Sequence, residues 1–171
     1  MFKVFKGGQL PTRGTKYSAC VDLYANEDVV IGAGETVLVP LGVCIDEDSL
    51  YRQLSGIGYF DSETKTSILL SDFKKSHYLQ LMLRSSLSKD LIIANGVGVV
   101  DLDYRDEIMV RVHNPLDTYK TFEYDNVEIK KGDRVAQIAL LEHKSYLFGI
   151  DTEDERTGGF GSTNKKDGKN G

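Results

Sequence analysis

The chain is 171 residues long, with 40% hydrophobic and 27% charged residues, 17 Gly, 3 Pro, no Trp and a formal net charge of −5 at pH 7. This length and composition allow one soluble core and exclude a wholly disordered chain. No apolar run approaches the ~20 residues that cross a bilayer, and the acidic balance argues against general affinity for a nucleic-acid backbone. The opening MFKVFKGGQLPTRG lacks the apolar core of a signal peptide, and Cys20 and Cys44 are too few for a disulfide framework, so the expected compartment is the reducing cytoplasm.

Short β-rich runs, cut by Gly, Asn and Asp at intervals of about 8–12 residues, predict an all-β fold. In chain order, strands are expected over Phe2–Lys6, Ala19–Ala25, Asp28–Ile31, Thr36–Ile45, Thr66–Leu70, Leu79–Leu83, Val97–Val100, Ile108–Val112, Val127–Ile129 and Arg134–Leu141. The one helical stretch expected is Ser85–Asp90, opened by a capping serine. Asp46–Lys75 alternates acidic, basic and Gly-bearing pieces and reads as an excursion from the core, an extra hairpin. The expected organisation is a β domain over 1–150, interrupted by that excursion at about 46–78, then a flexible arm over 151–171. The arm holds Phe160 as its only large apolar residue and cannot order itself by burial.

Four clusters carry candidate chemistry. In RSSLSK, Arg84 offers a planar fork to phosphate oxygens, and Ser85 and Ser86 add hydroxyls and amides at a helical turn. NGVGVVDLDYRDEIMVRV reads as a hairpin, with Asp101 ending an apolar run where a carboxylate needs a partner or a task. Asn95 and Tyr104 flank its turn and together offer an amide edge and a ring face to a base. In KKGDRVAQIALLE, Arg134 and Gln137 are three apart and so point to opposite faces of a regular strand. Arg134 is therefore expected to pair with an acid such as Asp22, and Gln137 to contact ligand at a strand edge. In the arm, RTGGFGST joins a cation, close glycines, a ring and hydroxyls, the inventory of a clamp for phosphate and base. His77, His113 and His143 are too far apart in sequence to form a local metal motif.

In order and spacing these clusters resemble the homotrimeric all-β dUTPases, through five motifs at Ala19–Ala25, Arg84–Lys89, Asn95–Glu107, Gly132–Ile138 and Arg156–Thr163. The resemblance implies a distorted jelly-roll β-barrel, trimeric with shared active sites. The implied activity is hydrolysis of dUTP to dUMP and pyrophosphate, limiting uracil incorporation into DNA and supplying dUMP for dTMP synthesis. It implies that Asn95, Gly98, Val100 and main-chain groups hold uracil, that Tyr104 packs on the deoxyribose, and that Asp101 deprotonates the water attacking the α-phosphorus. Arg84, Ser85, Ser86 and Gln137 would hold phosphates; Phe160 would stack on uracil, with Arg156, Gly161, Ser162 and Thr163 at the phosphates. Asp22 and Arg134 would support the site. Mg²⁺ would be bound through the substrate phosphates, with no metal ligand among the protein side chains. Departures from the family pattern are Cys20, Ser86, Asp106 and Asn164 in place of glycines, Leu83 in place of proline, and a last motif one residue short between Arg156 and Gly159. The departures and insertions point to a phage or other viral member acting in the host cytoplasm. Two alternatives stand beside this reading: a dCTP deaminase-like enzyme of the same fold, and a regulatory module binding a protein partner through the excursion.

Overall fold

The computed structural model describes residues 1–56, 67–116 and 125–150. Its strands are β1 (Phe2–Val4), β2 (Val21–Tyr24), β3 (Val29–Ile31), β4 (Thr36–Pro40), β5 (Val43–Ile45), β6 (His77–Leu83), β7 (Ile92–Ile93), β8 (Gly98–Asp101), β9 (Met109–His113), β10 (Val127–Ile129) and β11 (Arg134–Glu142). Two helices, α1 (Glu47–Gly56) and α2 (Ser67–Ser76), sit between β5 and β6, and a 3-10 turn (Ser145–Phe148) follows β11. Every strand pairing is antiparallel. One sheet has the order β2-β11-β6-β8 and another β4-β9-β7, with β1-β5 and β3-β10 as two-stranded ribbons. Period-two alternation drives this: in β9, Val110 and Val112 are buried while Arg111 is exposed. Such inward positions from all the sheets, with Leu23, Ile31, Val39, Leu81, Ile129 and Ile138 among them, merge into one core. Among the described residues no helix is long and apolar enough to cross a membrane.

Most expected strands fall within a residue or two of their observed bounds, and the exceptions have local causes. Thr36–Ile45 is two strands. Gly42 adopts φ 64°, and a Cβ on Gly8 would lie 2.2 Å from the Gly42 carbonyl oxygen, so two backbones touch at a corner that only glycine permits. There the chain leaves β9 and pairs with β1. The run expected as a strand at Thr66–Leu70 enters α2 instead, and Asp46–Lys75 is not a hairpin but the segment bearing both helices. Asp46 opens α1 by accepting the Ser49 amide at 3.1 Å and its hydroxyl at 2.5 Å. Acidic residues occupy the first turn of α1 and lysines the last turn of α2, each matching the helix dipole. Leu50 and Leu54, four apart, are buried. Ser85–Asp90, expected as a helix, is a set of hydrogen-bonded turns, with Leu87 and Ser88 amides both donating to the Arg84 carbonyl at 3.0 and 3.1 Å. Nor is Asn95–Glu107 the turn of a hairpin, because β8 pairs with β6 while β9 pairs with β4 and β7.

Glu47 fastens this insertion. Its Oε1 accepts Lys74 Nζ of α2 at 2.5 Å, and its Oε2 accepts Arg105 at 2.9 Å. The Lys74 hydrogen bond foremost holds the Glu47 carboxyl below the usual carboxylate range; the Ser49 hydroxyl does the same for Asp46. Both groups are more acidic folded than unfolded. Their contribution is thus present above the unfolded values near ~4 and is lost as pH falls through the lower folded ones. Urea unfolding followed from about pH 6 to about pH 2 is expected to show stability falling in acid, with a shallower fall in Glu47→Gln. Equal slopes in the two proteins would remove Glu47 from the linkage.

Candidate active site

Two groups of expected site residues assemble at opposite ends of the four-stranded sheet. The first is built on Asp22, which β2 places in the middle of the motif end of β11 at 4% exposure. Its Oδ1 accepts Arg84 Nη1, and its Oδ2 accepts Arg134 Nη1 at 3.4 Å. The expected Asp22–Arg134 pair is therefore present, but Arg84, expected only as a phosphate ligand, shares the same carboxylate. Two cations on one buried anion leave a local excess of one positive charge in an otherwise acidic chain. Arg84 Nε is buried with no hydrogen-bond partner, and Ser85 and Ser86 follow it on exposed turns.

The expectation for β11 needs two corrections. A register shift between Arg134 and Ala136 breaks the regular alternation, so the parity argument separating Arg134 from Gln137 fails. Gln137 stands opposite Asp22 while Arg134 reaches the same carboxylate. Gln137 also does not lie at a sheet edge, because β11 runs between β2 and β6. Its Nε2 donates to the Leu83 carbonyl at 3.3 Å, beside Arg84.

The second group surrounds a cavity of about 210 Å³ lined by Asn95, Val99, Val100, Asp101, Tyr104, Ile108 and Met109. Among the described residues β8 is the outer strand of its sheet, and its Val99, Val100 and Asp101 line this space. Asp101 is exposed at the end of β8. Tyr104 is only 7% exposed, and its hydroxyl donates to the Glu107 carbonyl at 3.1 Å, which fixes the ring as a wall. Asn95 Nδ2 donates to the Val97 carbonyl at 3.4 Å. Gly98 does not line the cavity. A Cβ there would lie 2.8 Å from the Leu81 Cβ, so the glycine serves the close approach of β6. The walls contributed by Val99, Ile108 and Met109 were not singled out in the sequence; the apolar residues flanking the acidic turn were their only signal.

Asp101 pairs with Tyr78 in register, and Arg84 follows six residues later along β6. At ~3.3 Å per residue the two groups are about 20 Å apart on one chain. Arg156, Phe160, Gly161, Ser162 and Thr163, with the whole expected arm, lie outside the described residues. Cys44 is buried, and burial pushes its thiol up; Cys20 is half-buried. Among the described residues no three His, Cys, Asp or Glu side chains gather as a metal-binding group.

Fold and site together define an antiparallel β protein with a cationic cluster at one end of a sheet and a small cavity at the other. Residues 62–164 match the family model of dUTPase. A deoxyuridine 5′-triphosphate nucleotidohydrolase of Desulfitobacterium hafniense (strain DSM 10664 / DCB-2) is 32% identical over 166 residues, covering 92% of this chain and 89% of its own. The crystal structure of the dUTPase from Streptococcus mutans matches with TM-score 0.56 and 25% identity, over 88% of this chain and 98% of that one. A mutant dUTPase from phage phi11 of S. aureus, which revealed how a structural Mg(II) ion is coordinated there, matches with TM-score 0.61 and 15% identity, over 94% and 97%. The chain belongs to the dUTPase family, and its fold class is the expected jelly-roll type.

Asp22→Ala leaves two guanidinium groups facing one another. It is expected to cost ~2 kcal/mol, less than the ~3–5 of a fully buried broken pair because Arg134 is half exposed. The midpoint of urea unfolding measures this, and a change below a few tenths of a kcal/mol would deny Asp22 its anchoring role.

Proposed function

We propose that the chain is a dUTP diphosphatase, hydrolysing dUTP to dUMP and pyrophosphate, and that it works as a homotrimer whose sites draw on more than one copy. The observation that carries the reaction is the Asp101 carboxylate at the lip of a cavity walled by Asn95 and Tyr104. In this reading the free edge of β8, through Val100 and its neighbours, offers alternating main-chain donors and acceptors to uracil, much as a base-pair edge would, and the Asn95 amide completes them. Tyr104 lies against the deoxyribose, and because its ring cannot swing away it leaves no space for a 2′-hydroxyl. Asp101 orients a water in line with the α-phosphorus and takes its proton. Gly98 acts one step back, letting β8 lie close to β6.

The pyrophosphate leaving group needs cations and donors that the Asp101 end of one chain does not supply. Arg84, Ser85, Ser86 and Gln137 supply them at the other end, about 20 Å away along β6, so a neighbouring copy must bring them. Asp22, itself also paired with Arg134, anchors Arg84. The unsatisfied Arg84 Nε–H suits a guanidinium that turns toward an arriving phosphate. Arg156, Phe160, Gly161, Ser162 and Thr163 of the arm close over ring and phosphates. The guanidinium, hydroxyls and amide of Arg84, Ser85, Ser86 and Gln137 fit a triphosphate that carries a Mg²⁺ with it; when bound, the ion would neutralise charge building on the phosphate oxygens. The exposed faces of α1 and α2, with Asp48, Arg52, Asp72 and Lys75, are the surface a protein partner would use.

Asp101→Asn is expected to retain dUTP binding while kcat falls roughly 10²–10⁴-fold, read as pyrophosphate release. Near-parental turnover would remove Asp101 as the base, and ammonia from dCTP would replace the hydrolase reading by a deaminase. Co-expressed Asp101→Asn and Arg84→Ala copies, each inactive alone, are expected to recover part of the turnover in a particle of trimer mass. Inactivity of the mixed particle would overturn the shared site.

A further inference from the structure

We propose that Glu47 is a positioning residue for Asp101, through which the α1–α2 insertion sets the geometry of the hydrolytic carboxylate; this rests on the reading of Asp101 as the base. Glu47 stands at the first turn of α1, outside the five family motifs, and one oxygen of its carboxylate faces each of two elements. Lys74 of α2 takes Oε1 at 2.5 Å, and Arg105 Nη2 takes Oε2 at 2.9 Å. Arg105 Nη1 in turn donates to the Leu102 carbonyl at 2.9 Å. Leu102 directly follows Asp101, and the turn is closed by the Tyr104 amide donating to the Asp101 carbonyl at 3.1 Å. A planar guanidinium couples its two nitrogens rigidly, so a shift of the Glu47 carboxylate carries to the peptide next to Asp101.

The bonding pattern fits positioning better than stabilisation. Glu47 and Arg105 are 40% and 42% exposed, and ion pairs so placed contribute little to folding. What they fix is direction. Leu102 is buried at 1% exposure and anchors one side of the turn, and Arg105 restrains it from the other. Directly before Leu102 stands the carboxylate that must meet a water in line with the α-phosphorus, where displacement by an ångström is costly. Glu47 is the only acid that the described residues place in an ion pair with Arg105.

The test uses the full chain with dUTP and Mg²⁺. Glu47→Ala is expected to lower kcat about five- to twentyfold with KM near its parental value and only the small drop in melting temperature that half-exposed ion pairs account for. Arg105→Ala is expected to do the same, and the double variant to lose no more than either single one. Arg105→Lys, which keeps the charge but loses the fork that joins Glu47 to the Leu102 carbonyl, is expected to stay impaired. Should Glu47→Ala fail to fold, Glu47→Gln gives the same comparison with side-chain volume retained. An unchanged kcat, or losses that multiply in the double variant, would overturn the proposal. Asp101→Asn separates the two readings. If it keeps its turnover, the base assignment has failed and positioning falls with it; if it is inactive while Glu47→Ala is unaffected, positioning alone has failed.

Discussion

The refusal of β8 and β9 to pair with each other shapes everything that follows at this site. An acidic turn between two apolar strands would ordinarily close a hairpin, with each strand spending its inner edge on the other. Here β6 takes one edge of β8, while β4 and β7 take the two edges of β9. The strands diverge into different sheets, and residues of both line a cavity beside the edge of β8 that no described strand takes. Exposed strand edges are a hazard for aggregation, so leaving one open beside a carboxylate and a fixed tyrosine has a cost. That cost is reasonable where a flat ring with its own donors and acceptors is to be read.

Much of this was legible in the sequence, and the boundary of legibility is physical. Alternation of period two located Val127–Ile129 to the residue and most other strands closely, because an inward valine or isoleucine every second position is a local signal. Asn95, Asp101 and Tyr104 could be singled out together because they lie close in sequence around β8, and the structure brings them to one cavity. What alternation does not encode is which strand pairs with which. The hairpin reading of Asn95–Glu107 failed for that reason, as did the placement of Gln137 at an edge. The register shift after Arg134 is equally invisible: the extra residue is absorbed by backbone geometry, and nothing in Arg134-Val135-Ala136 marks it.

The helices were missed for a different reason. Asp46 three residues before Ser49, acids in the following turn, and Leu50 and Leu54 four apart form a helix-start signature, but frequent charges made the segment resemble a solvated loop. Its apolar stripe is narrow because the helix is anchored at one edge of the β domain instead of being enclosed. Lys74 and Arg105 finish its attachment through charge, and those contacts span 27 and 58 residues, beyond any local reading.

Asp22 shows how an acidic chain can present a cationic end without general affinity for polyanions. A lone arginine on this surface would sit within the field of a chain with net charge −5. Sinking one carboxylate beneath two guanidiniums fixes both in place and leaves them half-cancelled, so the excess charge is small and sharply located. In the proposed function such an end attracts a triphosphate strongly only when further donors converge on it, from Gln137, from the serine amides and from a metal that the phosphates would carry. Selectivity then lies in convergence and not in charge. In the proposed homotrimer the two ends of the sheet, each unremarkable alone, gain their meaning when a neighbouring copy brings one to the other.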